Sequence, residues 1–349
     1  MKNYISQFNS EIITSSFGLL ADGREVFKHK ITNANGYELS ASTYGAAITH
    51  LLVPVSESEK MDVVLGFDSA ANYENSFSLP NAPYLGAAVG LYAGRIDQAS
   101  FELDGKIVQL DQNHGPHQLH GGFKNLSNQI WNFDSEKSNK QQLVFNIGTK
   151  LNSANYNAEV SVTVSYVLTD DNALKVRFSA TTDQPTAINL TQHSYFNLDG
   201  DGRSVLSQKL KVFSESYLET KPDGIPTGKI VPTINTALNF TEIQNCPRSI
   251  DNTFTLAQPL AAVLHSPSTK IKLSVFTNQP AVHIYVGGNC FNTLAGKNFA
   301  KYGETSGICF ETQNYPDAPN QKHFPNSIIQ PNETYFHESI FQFETNKTE

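Results

Sequence analysis

Strict alternation of apolar and polar residues most limits how this chain can fold. In VSVTVSYVL, Val160, Val162, Val164, Tyr166 and Leu168 fall on one face. ALKVRFSA repeats the pattern with Leu174, Val176 and Phe178, IKLSVF with Ile271, Leu273 and Val275, and IFQF with Phe341 and Phe343. A period of two is the mark of half-buried antiparallel strands. The turn chemistry agrees. FELDGKIVQL centres on Asp104-Gly105, a two-residue hairpin signal. TDDNALKV joins two of the strands above, and ADGREVFKH and NANGYELS are Gly-centred turns. The polar run SEKSNKQQ reads as a hairpin tip, and DSAANYEN as a short turn of helix capped by Asp68 or Ser69.

No internal repeat, charge block or Pro/Gly linker divides the 349 residues. The expectation is therefore a single domain over residues 1–349, an all-β fold built as one large antiparallel β-sandwich. A net charge of −8 argues against nucleic acid or an anionic membrane as partner, since both attract basic patches. The three cysteines, Cys246, Cys290 and Cys309, form no CxxC pair and suggest no disulfide framework. MKNYISQFNSEIITSS has no apolar core of a signal peptide, and no apolar run is long enough to span a membrane. A soluble, cytoplasmic protein is the expectation.

Three stretches could carry chemistry. NHGPHQLHGG spaces His114, His117 and His120 by three, which invites a metal reading. Gly115-Pro116 forbids a regular helix, so the three need not share a face. The alternatives are exposed loop histidines, or a loop presenting one His to a ligand beside Gly121-Gly122, where backbone can approach closely. In NLTQHSYFNLDG, strand spacing puts Thr191, His193 and Tyr195 on one face and Leu190, Gln192 and Ser194 on the other. His193 reads either as a satisfied core histidine or as a general acid, since imidazole titrates near working pH. In GICFETQNYPDAPN, an apolar run ends at Glu311. Carboxylates are rarely buried without partners, so Glu311 is either a structural carboxylate or a general base at a strand end. Arg95 in GLYAGRID and Asp251 in RSIDNTF, taken singly, read as surface ion-pair residues.

Together these stretches resemble the aldose 1-epimerase family, the galactose mutarotases. The resemblance runs nearly end to end, through NANGYELSASTYGAAITHLLVP, DVVLGFDSAANY, YAGRI, LHGG, HSYFNL, DGIPTGKIVP, SIDNTF and FETQNYPDAPN. It implies a mutarotase-like supersandwich with an open concave sugar cleft, and interconversion of the α and β anomers of free aldoses such as galactose or glucose. It implies Glu311 as general base and His193 as general acid, with His120, Arg95 and Asp251 holding the sugar and Tyr195 lining the cleft. No metal site and no required cofactor are implied. Some relatives are associated with calcium, but the sequence shows no ligand set for it. The expected partner is a small-molecule monosaccharide, met by a monomer or homodimer.

Two positions depart from the family pattern. Gly94 stands where Asn is common, which removes one sugar hydrogen bond. His283, in AVHIYVGGN, stands where Gln is common and retains hydrogen-bonding capacity toward a hydroxyl. Three rival readings differ from this one in the residues they require. A non-catalytic glycan-binding module would not need both His193 and Glu311. A glycoside hydrolase would use two carboxylates. A hexose-6-phosphate 1-epimerase would need more Lys or Arg than Arg95 to meet a phosphate.

Overall fold

Alternation becomes burial strand by strand. The computed structural model describes residues 12–152, 156–200, 202–287 and 293–345. In the strand Asn157–Leu168 every second residue, from Ala158 to Leu168, is buried. Its neighbours Gln142–Asn152 and Ala173–Thr182 pair with it antiparallel, with Val164 opposite Phe145 and Phe178. These strands belong to a nine-stranded sheet that also holds Ile271–Thr277 and Tyr335–Thr345.

A six-stranded sheet orders Tyr195–Phe196, Ile308–Gln313, Ala281–Val286, Ile250–Thr255, Ser216–Thr220 and Pro226–Pro232. A five-stranded sheet runs from Ile13–Leu19 to Lys60–Asp62. One apolar cluster takes side chains from all three: Val162 and Phe341 from the first, Ile284 and Phe310 from the second, Leu39 and Leu51 from the third. This is the all-β sandwich that the alternation predicts.

The turn readings hold in detail. Asp104 and Gly105 have φ of 50° and 75°, and join Ser100–Leu103 to Lys106–Gln109 in a two-residue loop. The short helix is Ala70–Ser76, capped by Ser69, whose side chain accepts from the Asn72 N–H. Asp68 instead accepts from the Asn298 N–H at 2.7 Å. Cys246 and Cys309 are buried, and Cys290 lies outside the described residues. No helix among the described residues is long and apolar enough to cross a membrane.

The segment 190–195 is not the continuous strand that its spacing suggests. Thr191–Gln192 pairs with Ala88–Val89, and Tyr195–Phe196 pairs with Ile308–Cys309 in a different sheet. The Gln192 side chain makes the break: it donates to Gly86 O and Ser194 Oγ and accepts from the Ser194 N–H. His193 sits at this crossing, with backbone bonds to Gly86 and Ala87.

Candidate active site

The six-stranded sheet has two faces with opposite chemistry. Ile308, Phe310, Val282, Ile284 and Phe254 point into the core. The alternate positions Glu311, Gln313, His283, Tyr285, Asp251 and Thr253 point the other way and line a cavity of about 490 Å³. Register aligns Glu311 with His283, and His283 with Thr253, in a row across three strands. His193, Arg95, His120 and Gly94 line the same cavity from other segments of the chain.

Glu311 and His193 are in contact. His193 Nε2 lies 3.4 Å from Glu311 Oε1, and both side chains are nearly inaccessible, at 5% and 3% exposure. Burial pulls the His193 imidazole below its ordinary range; the Glu311 charge pulls it back up without overcoming the burial. The Tyr195 ring stacks on His193 at 5.2 Å and the Tyr84 ring at 5.9 Å.

Arg95 and His120 come as a unit. Arg95 pairs with Leu119 in a two-residue ladder, and the His120 N–H donates to Gly94 O. The Gly94 N–H donates to His120 Nδ1 at 3.2 Å. A nitrogen that accepts carries no proton, so neutral His120 keeps its proton on Nε2 and is fixed as a donor. Burial, followed by the neighbouring His193 and Arg95 charges, holds His120 well below the ordinary imidazole range.

The far wall holds an ion pair. His283 Nε2 lies 2.8 Å from Asp251 Oδ1, and His283 Nδ1 lies 2.8 Å from the Thr253 hydroxyl. Arg95 approaches the other Asp251 oxygen at 3.7 Å. Burial opposes the charge on both partners, but the hydrogen bond and attraction between them win. Asp251 is held below the carboxylate range and His283 is raised above the imidazole range.

Six of the seven predicted site residues thus line one cavity: Glu311, His193, Arg95, His120, Asp251 and His283. Tyr195 stands behind His193 in a separate apolar cluster, and the aromatic wall is Tyr84 and Tyr285. Of the loop histidines, His114 also lines the cavity. His117 turns away, lying 3.1 Å from Asp97 and 3.4 Å from Asp223. Besides Tyr84, which no neighbouring motif marks, the sequence left Thr253, Tyr285 and Gln313 of the sheet face unmarked. These three are each two positions from a residue already named, so extending the alternation would have found them. Two buried polar atoms of the lining, Arg95 Nε and Gln313 Oε1, have no protein partner.

Among the described residues, His120, His193 and Glu311 form a cluster close enough to consider for a metal, with ligand atoms within 4.8 Å of one another. Two imidazoles and one carboxylate do not fit calcium, which takes six to eight oxygens. They also do not fit a transition metal, because the Nε2 proton of His120 occupies the lone pair that a metal would need.

A polar cavity on the outer face of a sandwich sheet, with an imidazole and a carboxylate in contact at its floor, defines a β-sandwich enzyme built for proton transfer. The chain belongs to the aldose 1-epimerase family, whose sequence profile matches residues 28–342. It is 33% identical to the galactose mutarotase of Sus scrofa over 346 residues, covering 95% of this chain and 98% of that one. It is 28% identical to the aldose 1-epimerase of Escherichia coli, covering 93% and 97%. The solved GalM/aldose epimerase homologue from C. elegans superposes with a TM-score of 0.83 at 26% identity, covering 90% and 98%.

Proposed function

We propose that this aldose 1-epimerase interconverts the α and β anomers of free aldoses such as galactose or glucose, with Glu311 as base and His193 as acid. The observation that carries the assignment of roles is their contact at the cavity floor, 3.4 Å apart. Glu311 removes the proton from the C1 hydroxyl while His193 Nε2 delivers one to the ring oxygen. The bond between C1 and the ring oxygen breaks, leaving an open-chain aldehyde. Rotation about C1–C2 presents the other carbonyl face. The chain hydroxyl then adds back, His193 recovers its proton, and protonated Glu311 returns one to the C1 oxygen. Protons and one C–O bond move, and no atom changes oxidation state.

The remaining groups bind the ring. His120 Nε2–H and the Arg95 guanidinium are donors for sugar oxygens, and the Asp251 carboxylate is an acceptor for hydroxyls. Arg95 is the one Lys or Arg among the described lining residues, and it already faces Asp251. That weighs against a sugar phosphate. Gly94 has φ of 80°, and a Cβ there would lie 3.0 Å from Pro316, so the chain is shaped for glycine at this departure. The test is optical rotation after dissolving α-D-galactose or α-D-glucose. The expected result is the spontaneous endpoint reached faster with protein. A rate at the spontaneous value for both sugars, with sugar still bound, would replace this reading by a glycan-binding module.

A further inference from the structure

The apolar interior of the sandwich contains a polar knot that the chemistry above does not use. His337, Thr312 and Ser339 are only 1%, 2% and 2% exposed. His337 and Ser339 lie on Tyr335–Thr345 of the nine-stranded sheet, and Thr312 follows Glu311 directly on the cleft sheet. His337 Nε2 lies 3.0 Å from Thr312 Oγ1 and 2.8 Å from Ser339 Oγ, and the two hydroxyls also bond to each other. His337 Nδ1 lies 3.0 Å from Leu190 O. A carbonyl only accepts, so Nδ1 carries the proton and Nε2 accepts from one of the two hydroxyls, the other hydroxyl proton bridging the two oxygens. Burial pushes His337 down to about 3, so this neutral tautomer persists at any working pH.

The knot spans the two segments that carry the acid and the base. The stretch from Leu190 to Phe196 holds His193 at its middle. At one end, Tyr195 and Phe196 pair with Cys309 and Ile308 of the Glu311 strand. Backbone bonds from residues 191–193 to residues 86–89 hold the middle, but none of them ties it to the Glu311 strand. The second attachment is made by side chains: the Thr191 hydroxyl donates to Thr312 O at 2.9 Å, and His337 links Leu190 O to the Thr312 hydroxyl. Tyr335 Oη also accepts from the Leu190 N–H at 3.2 Å, so the far strand holds both backbone groups of Leu190.

We propose that His337 is a positioning residue for anomer interconversion: from the far sheet it fixes the separation of His193 and Glu311 by clamping Leu190 and Thr312. The inference rests on the acid/base reading of that pair. A clamp of this kind acts on the geometry of proton transfer and leaves the sugar-binding groups Arg95, Asp251 and His283 where they are. Its loss should therefore lower kcat and spare KM.

The experiment measures kcat and KM by polarimetry, well below each variant's melting temperature, for three substitutions. His337→Leu removes the clamp. His337→Asn keeps an N–H at the Nδ1 position. Thr312→Val removes the link to the Glu311 strand at nearly constant volume. The expected result is a kcat about 10- to 100-fold lower in His337→Leu, as for displacements near 1 Å, with KM within about twofold. His337→Asn should recover little of the loss, because it keeps the bond to Leu190 O but has no Nε2 acceptor for the Thr312 hydroxyl. Thr312→Val should lower kcat in the same way, and it carries the test if His337→Leu does not fold. Variants that melt earlier but keep the native kcat would overturn the proposal, leaving the knot as packing alone. A native protein that does not accelerate mutarotation would instead overturn the acid/base reading, and this inference with it.

Discussion

Gly121 is where backbone geometry should matter most to the site. A Cβ built there lies 2.1 Å from Gly90 O, 2.5 Å from Gly90 C and 2.7 Å from Leu91 N. All three are backbone atoms, so no side chain can turn aside. An ordinary C···O contact is about 3.3 Å, so Gly121→Ala must move the loop by roughly 1 Å. The residue also has φ of 89°, which adds strain of about 1–2 kcal/mol for any residue with a Cβ. With overpacking of about 1–3 kcal/mol, the total cost is about 2–5 kcal/mol. The displaced neighbour is His120, whose ring is aligned by Gly94. A misplacement near 1 Å lowers kcat/KM by about 100-fold. Gly115 supplies the control. It lies in the same loop at φ of 59°, with nothing within 4 Å of its would-be Cβ. Gly115→Ala should cost about 1–2 kcal/mol and leave kcat/KM nearly unchanged. Denaturant unfolding and mutarotation kinetics on both variants decide the matter. Equal losses in the two would refute the close-approach argument.

Other consequences can be checked singly. Replacing Glu311 by Gln removes the anion that raises the His193 imidazole, so NMR titration should find His193 at a lower pKa than in the native protein; an unchanged value would mean the two do not interact. The Asp251–His283 pair should stabilise the fold only in a pH window. The contribution of Asp251 is present above the unfolded carboxylate value of 3.8 and fades as pH falls through its depressed folded value. That of His283 is full below 6.5 and fades as pH rises through its raised folded value. The melting-temperature gap between native protein and Asp251→Asn should thus be widest between these limits and shrink on both sides. His117→Ala should destabilise by about 1–3 kcal/mol with KM unchanged, because His117 is buried against Asp97 and Asp223 outside the cavity. Phe310→Ala, on the core side of the strand that carries Glu311, should cost about 3–5 kcal/mol in denaturant unfolding.

Period-two alternation made the sandwich legible, because each strand has one face in a shared core and burial follows parity. The same parity, applied from Asp251, His283 and Glu311, reaches Thr253, Tyr285 and Gln313, so most of the cleft floor was readable. The crossing at His193 was not. Both faces of 190–195 are buried, which removes the contrast that parity depends on, and the break is made by the Gln192 side chain folding onto Gly86 and Ser194. Tyr195 was accordingly expected in the cleft and lies behind His193. Parity from Phe341 and Phe343 reaches Ser339 and His337, but it does not reveal their partners Leu190 and Thr312, which lie far away along the chain. Lys297 is a similar case. Its buried ammonium meets Asp62 at 2.6 Å, far along the chain, and no local pattern announces such a pair.

Proton transfer here rests on Glu311 and His193 working as one unit. This is tested most directly by the rate at which rotation of fresh α-D-galactose decays with native protein, Glu311→Gln, His193→Asn and the double variant. Each single variant should lose about 10²–10⁴ and the double almost nothing further, since groups that act as a unit are not additive. Losses that add in the double variant, or a Glu311→Gln protein within tenfold of native, would contradict it.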